Sequence, residues 1–128
     1  MVNLTTILLV DDDPLILSVM LQVLGRAVPP STNILTAYNG EEGLRIARQT
    51  QPDLIITDLM MPRMDGFELV QSLRSEGTNI HARIIGVSSS GALDARTKAF
   101  RTMCDGYLSK PFMPNELVEK LTCVASPK

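Results

Sequence analysis

The stretch Ile7-Leu8-Leu9-Val10-Asp11-Asp12-Asp13-Pro14 carries four uninterrupted apolar residues, then three carboxylates and a proline. An apolar run this short, with no polar alternation, reads as a strand buried on both faces. Pro14 suits the first turn of a following helix, where its missing N–H does no harm. Leu15, Val19 and Gln22-Val23 continue at helical spacing, and Gly25 with Pro29-Pro30 is expected to stop that helix.

The same alternation repeats along the chain. Asn33-Ile34-Leu35-Thr36-Ala37 reads as a second strand, Asn39-Gly40 as a turn, and residues 41–49 as a helix with Leu44, Ile46 and Ala47 apolar. Gly43 weakens that helix by about 1 kcal/mol against alanine. Pro52-Asp53 punctuates, Leu54-Ile55-Ile56-Thr57 is a third buried strand, and Asp58 stands at its carboxyl end. A loop over residues 59–64 follows, and Asp65-Gly66 opens a helix carrying Leu69, Val70 and Leu73. Residues 75–82 are polar and loop-like. Ile84-Ile85-Gly86-Val87 is a fourth strand ending in Ser88-Ser89-Ser90-Gly91, and residues 92–103 form a helix. Gly106-Tyr107-Leu108-Ser109 is a short fifth strand before Lys110-Pro111, and residues 114–124 form the last helix, with Leu117, Val118 and Leu121 on one face.

Strand and helix alternate five times, the pattern of an α/β domain whose parallel sheet is covered on both faces. Right-handed crossovers leave few topologies, among them a doubly wound sheet of order 2-1-3-4-5. In that order strands 1 and 3 are neighbours and their connections leave on opposite faces, which opens a crevice at their carboxyl ends. Asp11, Asp12 and Asp58 lie at those ends, Ser88 ends the adjacent fourth strand, and Lys110 follows the fifth.

Composition narrows the class. A chain of 128 residues with 45% hydrophobic and 20% charged residues is the size of one domain, here 1–128 with a core of about 6–124. A net charge of −2 argues against direct nucleic-acid binding, which needs a concentrated basic surface. No apolar run has the length of a membrane span, and the N-terminus lacks the features of a signal peptide, so a cytoplasmic location is expected. Cys104 and Cys123 have no metal-ligand spacing and are expected to be buried or partly buried thiols in a reducing compartment.

Three clustered carboxylates repel one another, and a hard divalent cation removes that repulsion. Oxygen-only ligands with room for water suit Mg2+. Asp12 and Asp58 are the expected direct ligands, Asp11 is expected to act through a bound water, and the backbone carbonyl of Met60 completes the metal set of Asp11, Asp12, Asp58 and Met60. With the metal bound, Asp58 can attack phosphorus to give an acyl phosphate, Lys110 pairs with the incoming group, and Ser88 donates a hydrogen bond to it. Each residue alone has a plainer reading: Asp11 or Asp12 as a helix cap, Ser88 as a loop serine, Lys110 as a surface lysine, Tyr107 as packing. Asp65 reads as a cap or turn residue and His81 as a loop residue. The combined placement at the right strand ends is what favours chemistry.

Four motifs in order carry a further resemblance: Leu8-Leu9-Val10-Asp11-Asp12-Asp13-Pro14, Ala37-Tyr38-Asn39-Gly40-Glu41-Glu42, residues 52–66, and Gly106-Tyr107-Leu108-Ser109-Lys110-Pro111-Phe112. The chain resembles the receiver domains of two-component response regulators, of the CheY-like superfamily with a flavodoxin-like fold, from about Thr6 to Val124. The resemblance implies that Asp58 is the phosphoacceptor, Asp11 and Asp12 hold Mg2+, Ser88 is the switch hydroxyl, Tyr107 the switch aromatic and Lys110 the lysine of the site. It implies a signalling switch rather than an enzyme, with a histidine kinase or histidine phosphotransfer protein as donor in a phosphorelay. Phosphorylation would draw in Ser88, vacate space for Tyr107 to rotate inward, and change the surface of the fourth helix, fifth strand and fifth helix. That surface would meet an unidentified downstream protein or output domain, with the chain a monomer or a phosphorylation-dependent dimer.

The expected setting is either a stand-alone receiver or a receiver portion of a longer regulator or hybrid kinase. Two departures from the family pattern stand out: Arg83 occupies a position where strand 4 is usually entered through proline, and Gly86 with Ser89-Ser90 makes the switch segment small and polar. Met60 and Ser90 are expected to flank the phosphoryl group and influence its lifetime. The competing readings are a non-phosphorylated binding module on the same fold and a metal-dependent phosphohydrolase. The second is disfavoured by the lack of an Asp-x-Asp pair at the nucleophile and of an inserted cap.

Overall fold

The computed structural model describes residues 4–76, 81–89 and 94–125. In chain order the elements are β1 (Thr6–Val10), α1 (Pro14–Ala27), β2 (Asn33–Ala37), α2 (Gly40–Thr50), β3 (Leu54–Asp58), α3 (Gly66–Glu76), β4 (Arg83–Ser89), α4 (Ala95–Met103), β5 (Gly106–Lys110) and α5 (Pro114–Ala125). The strands pair in parallel in the order β2-β1-β3-β4-β5, the doubly wound arrangement that the alternation pointed to.

The continuous apolar runs are explained by the two cores. In β1, Ile7 and Leu9 join Leu17, Met20 and Leu24 of α1 and Leu117 and Leu121 of α5. Leu8 and Val10 point the other way, into a cluster with Leu44 of α2, Leu69 and Leu73 of α3, and Phe100 of α4. Side chains alternate between faces along a strand, so a sheet covered on both sides buries both sets of side chains and favours continuous apolar runs. Each such side chain, once fully buried, contributes about 1.5–3 kcal/mol.

Several boundaries differ from expectation for identifiable reasons. Gly25 does not stop α1, which continues to Ala27. A Cβ at Gly25 would meet nothing within 4 Å, so this glycine answers no steric demand. The strand β3 includes Asp58, β4 extends to Ser89, and β5 includes Lys110, because the backbone ladder runs past the apolar segment. Asp94 caps α4 by accepting from the Thr97 N–H at 2.8 Å, so the helix starts at Ala95 rather than at 92. The expected helix residues 92–93, and residues 77–80 of the expected loop, lie outside the described residues. The helix α3 extends to Glu76, into the segment expected to be loop.

Arg83 gains a physical reason. Its N–H donates to the Asp53 carbonyl at 3.0 Å, a bond that a proline could not make. Gly86 has a packing reason: a Cβ there would lie 2.7 Å from both Phe100 Cε2 and Cys104 Sγ, so α4 packs into the space its missing side chain leaves. Cys104 is half-buried and burial pushes its thiol up to about 12, which makes it inert. Cys123 is exposed, against the expectation of burial, because it lies on the outer side of α5.

Arg63, in the loop after β3, has a φ of 68°. A residue with a Cβ is strained there, and its exposed ion pair with Glu41 at 3.5 Å returns little. Arg63→Gly is expected to raise stability by about 0.5–1 kcal/mol, read as a higher urea midpoint at unchanged slope.

Candidate functional site

Asp11 directly follows β1 and continues its ladder, its N–H donating to the Ala37 carbonyl at 3.1 Å. Its side chain sits in the crevice at 1% exposure. Asp11 Oδ1 accepts the Asp13 N–H at 2.9 Å, which fixes the carboxylate. The plain cap reading belongs to Asp13, whose Oδ1 accepts the Leu15 N–H at 2.9 Å. Asp12, between them, is exposed.

Asp58 is the last residue of β3 and 6% exposed. Asp11, Asp12 and Asp58 each offer one carboxylate oxygen within 4.8 Å of the others. Lys110, the last residue of β5, reaches back over the crevice. Its Nζ lies 3.0 Å from Asp11 Oδ2 and 3.3 Å from Asp58 Oδ2. Ser88, nearly at the end of β4, is 2% exposed, and its hydroxyl is hydrogen-bonded to the Tyr107 hydroxyl. The crevice thus assembles Asp11, Asp12, Asp58 and Lys110, with Ser88 and Tyr107 paired at the neighbouring strand ends.

Electrostatics follow from this packing. Burial and the nearby Asp11 charge push the Asp58 carboxyl up to about 6, despite the attraction of Lys110. Burial works against the Lys110 charge, but its hydrogen bonds to Asp11 and Asp58 and their charges outweigh that, and its proton affinity rises. One ammonium therefore only partly compensates two buried carboxylates. An all-oxygen donor set with excess negative charge fits a hard divalent cation such as Mg2+, and among the described residues this is the one acidic cluster with that geometry.

The loop after Asp58 is held tightly. The Leu59 N–H donates to the Val87 carbonyl at 2.9 Å, and the Gly66 N–H donates to the Leu59 carbonyl at 2.8 Å. Met60, in the loop between these anchors, exposes its side chain. Asp65 is the cap expected of it: its Oδ1 accepts the Glu68 N–H at 2.9 Å and its own N–H donates to Glu68 Oε1 at 3.2 Å. Arg96 of α4 ties this cap down, donating from Nε to Asp65 Oδ2 at 2.9 Å while lying 4.5 Å from the Phe67 ring centroid.

The Tyr107 hydroxyl meets the Ser88 hydroxyl, which joins the ends of β4 and β5. Ser90 lies outside the described residues. Sequence reasoning missed the contribution of Gly66, whose role shows only where α3 passes over the Asp58 carbonyl. It also missed Arg96 and Arg101, ordinary helix arginines whose partners come from other elements.

Known proteins share this arrangement. The chain is 37% identical over 116 residues to the nitrate/nitrite response regulator protein NarL of Escherichia coli (strain K12), a match covering 91% of this chain and 52% of that protein. It is 33% identical to hybrid signal transduction histidine kinase D of Dictyostelium discoideum over 93% of this chain and 7% of that protein. The chain spans about half the length of the first of these. Among solved structures, chemotaxis protein CheY4 of Vibrio cholerae superposes with a TM-score of 0.80 at 29% identity, covering 94% of this chain and 98% of that one. A response regulator from Chloroflexus aurantiacus gives 0.84, also at 29% identity, over 96% and 98%. The model of the response regulator receiver domain matches residues 7–122, which takes in β1 from Ile7, the three carboxylates, Ser88, Tyr107 and Lys110, and on that match the chain belongs to the receiver domains of two-component response regulators, a family of phosphorylation switches.

Proposed function

We propose that this chain accepts a phosphoryl group on Asp58 from the phosphohistidine of a histidine kinase or histidine phosphotransfer protein, with Mg2+ as cofactor. The observation that carries this reading is the buried Asp58 carboxylate at the crevice, 3.3 Å from Lys110 and clustered with Asp11 and Asp12. Asp11, Asp12, Asp58 and the Met60 backbone carbonyl would hold the ion. When bound, Mg2+ supplies charge neutralisation for the carboxylates and the phosphoryl oxygens.

The chain's own residues do the rest. A carboxylate oxygen of Asp58 forms the new bond to phosphorus as the P–N bond to the donor imidazole breaks, and the imidazole keeps that electron pair and gains a proton. Lys110 pairs with a phosphoryl oxygen, which relieves its sharing between two carboxylates. Ser88 donates a hydrogen bond to another phosphoryl oxygen. Hydrolysis of the acyl phosphate resets the switch.

The Tyr107–Ser88 pair links the site to β5 and α4, so the readout surface is α4, β5 and α5. There an open groove is lined by Arg101, Tyr107, Glu116 and Lys120. A downstream protein, an output domain or a second copy would read that face. A cytoplasmic location accords with the family, and among the described residues no helix is long and apolar enough to cross a membrane.

Intact mass after incubation with Mg2+ and acetyl phosphate tests the reading. One added phosphoryl group is expected on the parent, none on Asp58→Asn, and none without Mg2+. No adduct on the parent, together with no binding of beryllofluoride in the presence of Mg2+, would overturn it.

A further inference from the structure

Tyr107 is held from two sides. Its hydroxyl meets Ser88 Oγ, and the guanidinium carbon of Arg101 lies 4.6 Å from its ring centroid. Arg101 stands in the last turn of α4, which is seated on the sheet by its neighbour Phe100. A Cβ at Gly86 would be 2.7 Å from the Phe100 ring, and Gly86 pairs in register with Tyr107. The last turn of α4 therefore touches both strands of the pair that carries Ser88 and Tyr107, β4 through Phe100 and β5 through Arg101. The Arg101 carbonyl also accepts the Cys104 N–H at 3.3 Å, which closes the helix at this point.

The direction of the Tyr107–Ser88 bond matters chemically. A serine hydroxyl has one proton and two lone pairs. If Tyr107 donates to Ser88, the Ser88 proton is left for an oxygen held at Asp58. If Ser88 donates to Tyr107, that proton is spent. A cation over the aromatic face is attracted to its π electrons, and it stabilises the electron density that builds on the phenol oxygen when the phenol shares its proton. The phenol is thereby favoured as the donor.

We infer that Arg101 is a positioning residue for the phosphorylation site: through the Tyr107 ring it sets the hydroxyl pair so that Tyr107 donates to Ser88 and Ser88 donates to the phosphoryl group. This rests on the receiver reading of Asp58. It assigns to an exposed arginine of α4 a share of the site's affinity for a phosphoryl oxygen.

The test is calorimetric titration of the full chain with Mg2+ and beryllofluoride. Arg101→Ala is expected to weaken binding about two- to fivefold, and Arg101→Lys, which keeps a cation over the ring, to retain most of the affinity. In a Tyr107→Phe background the ring remains but has no hydroxyl, and Arg101→Ala is expected to change nothing further. The chain has two tyrosines and no tryptophan, so in a Tyr38→Phe background the near-ultraviolet tyrosine spectrum reports Tyr107 alone, and Arg101→Ala is expected to shift it. Equal losses in Arg101→Ala and Arg101→Lys, or the same loss with Tyr107→Phe, would assign Arg101 to packing and overturn the inference. Parental affinity in Arg101→Ala would overturn it as well. A parent that does not bind the mimic would instead overturn the receiver reading, and the inference with it.

Discussion

In metal-free buffer at pH 8, Asp58→Asn is expected to be more stable than the parent by about 2–3 kcal/mol. The Asp58 carboxyl is pushed up to about 6 in the folded chain, against an ordinary value of 3.8 in the unfolded one, by burial and by Asp11. Between these values the folded state binds more protons than the unfolded state. Parental stability therefore falls as pH rises from about 4 to about 6, and above that the folded chain carries the full cost of an ionised Asp58. Asparagine keeps the shape and removes the charge, so the variant lacks this loss. Lys110 keeps its bond to Asp11 at 3.0 Å in the variant and is not left unpaired.

Urea unfolding at pH 5 and pH 8, with EDTA and with Mg2+, checks this. The gap between variant and parent should be about half as large at pH 5 as at pH 8. Millimolar Mg2+ should narrow it by stabilising the parent, because a ligand that binds only the folded state adds to its stability. A gap of the same size at both pH values, or a variant less stable than the parent at pH 8, would show that Asp58 is not an electrostatic liability in the fold.

Gly66→Ala is expected to cost about 2–3 kcal/mol and to remove most of the response to Mg2+. The added Cβ would fall 2.2 Å from the Asp58 carbonyl oxygen and 2.9 Å from Leu59 Cα. Both are backbone atoms, so no rotamer change relieves the overlap. Either α3 lifts away from the end of β3, or residues 58–59 move. Gly66 N–H also holds the Leu59 carbonyl at 2.8 Å, so each movement displaces the loop that carries Met60. The control is Gly25→Ala, where nothing lies within 4 Å and the expected change is a gain of about 1 kcal/mol from helix propensity alone. Thermal melts with and without Mg2+ read both variants. A Gly66→Ala protein with the parental Mg2+ shift would show that the loop does not depend on this close approach.

The arrangement of the strands was legible because burial on both faces writes itself into composition. Ile7-Leu8-Leu9-Val10 and Leu54-Ile55-Ile56 have no polar residue because each of their faces meets a core. Crossover handedness then leaves few ways to order such strands, and strand order places Asp11, Asp12, Asp58, Ser88 and Lys110 at one end of the sheet. Helix boundaries were less legible. Gly25 is a poor helix residue in isolation, yet Leu24 on one side and Ala27 beyond it pack on the core, and packing outweighs a propensity of about 1 kcal/mol.

The sequence by itself determined the strands and helices of a parallel sheet and narrowed its order to a few arrangements, since periodicity is local and crossover handedness prunes the topologies; the observed order β2-β1-β3-β4-β5 is one of those few. Only the tertiary structure decided how the crevice residues are charged and held. The raised Asp58 carboxyl depends on burial and on its distance to Asp11 and Lys110, which come from strands far apart in the chain. The contact of Gly66 with the Asp58 carbonyl, and of Arg101 with Tyr107, joins elements whose relative placement is set by packing over the whole sheet. Such contacts leave no spacing in the sequence, because the distance between the residues is fixed by the fold and not by the chain between them.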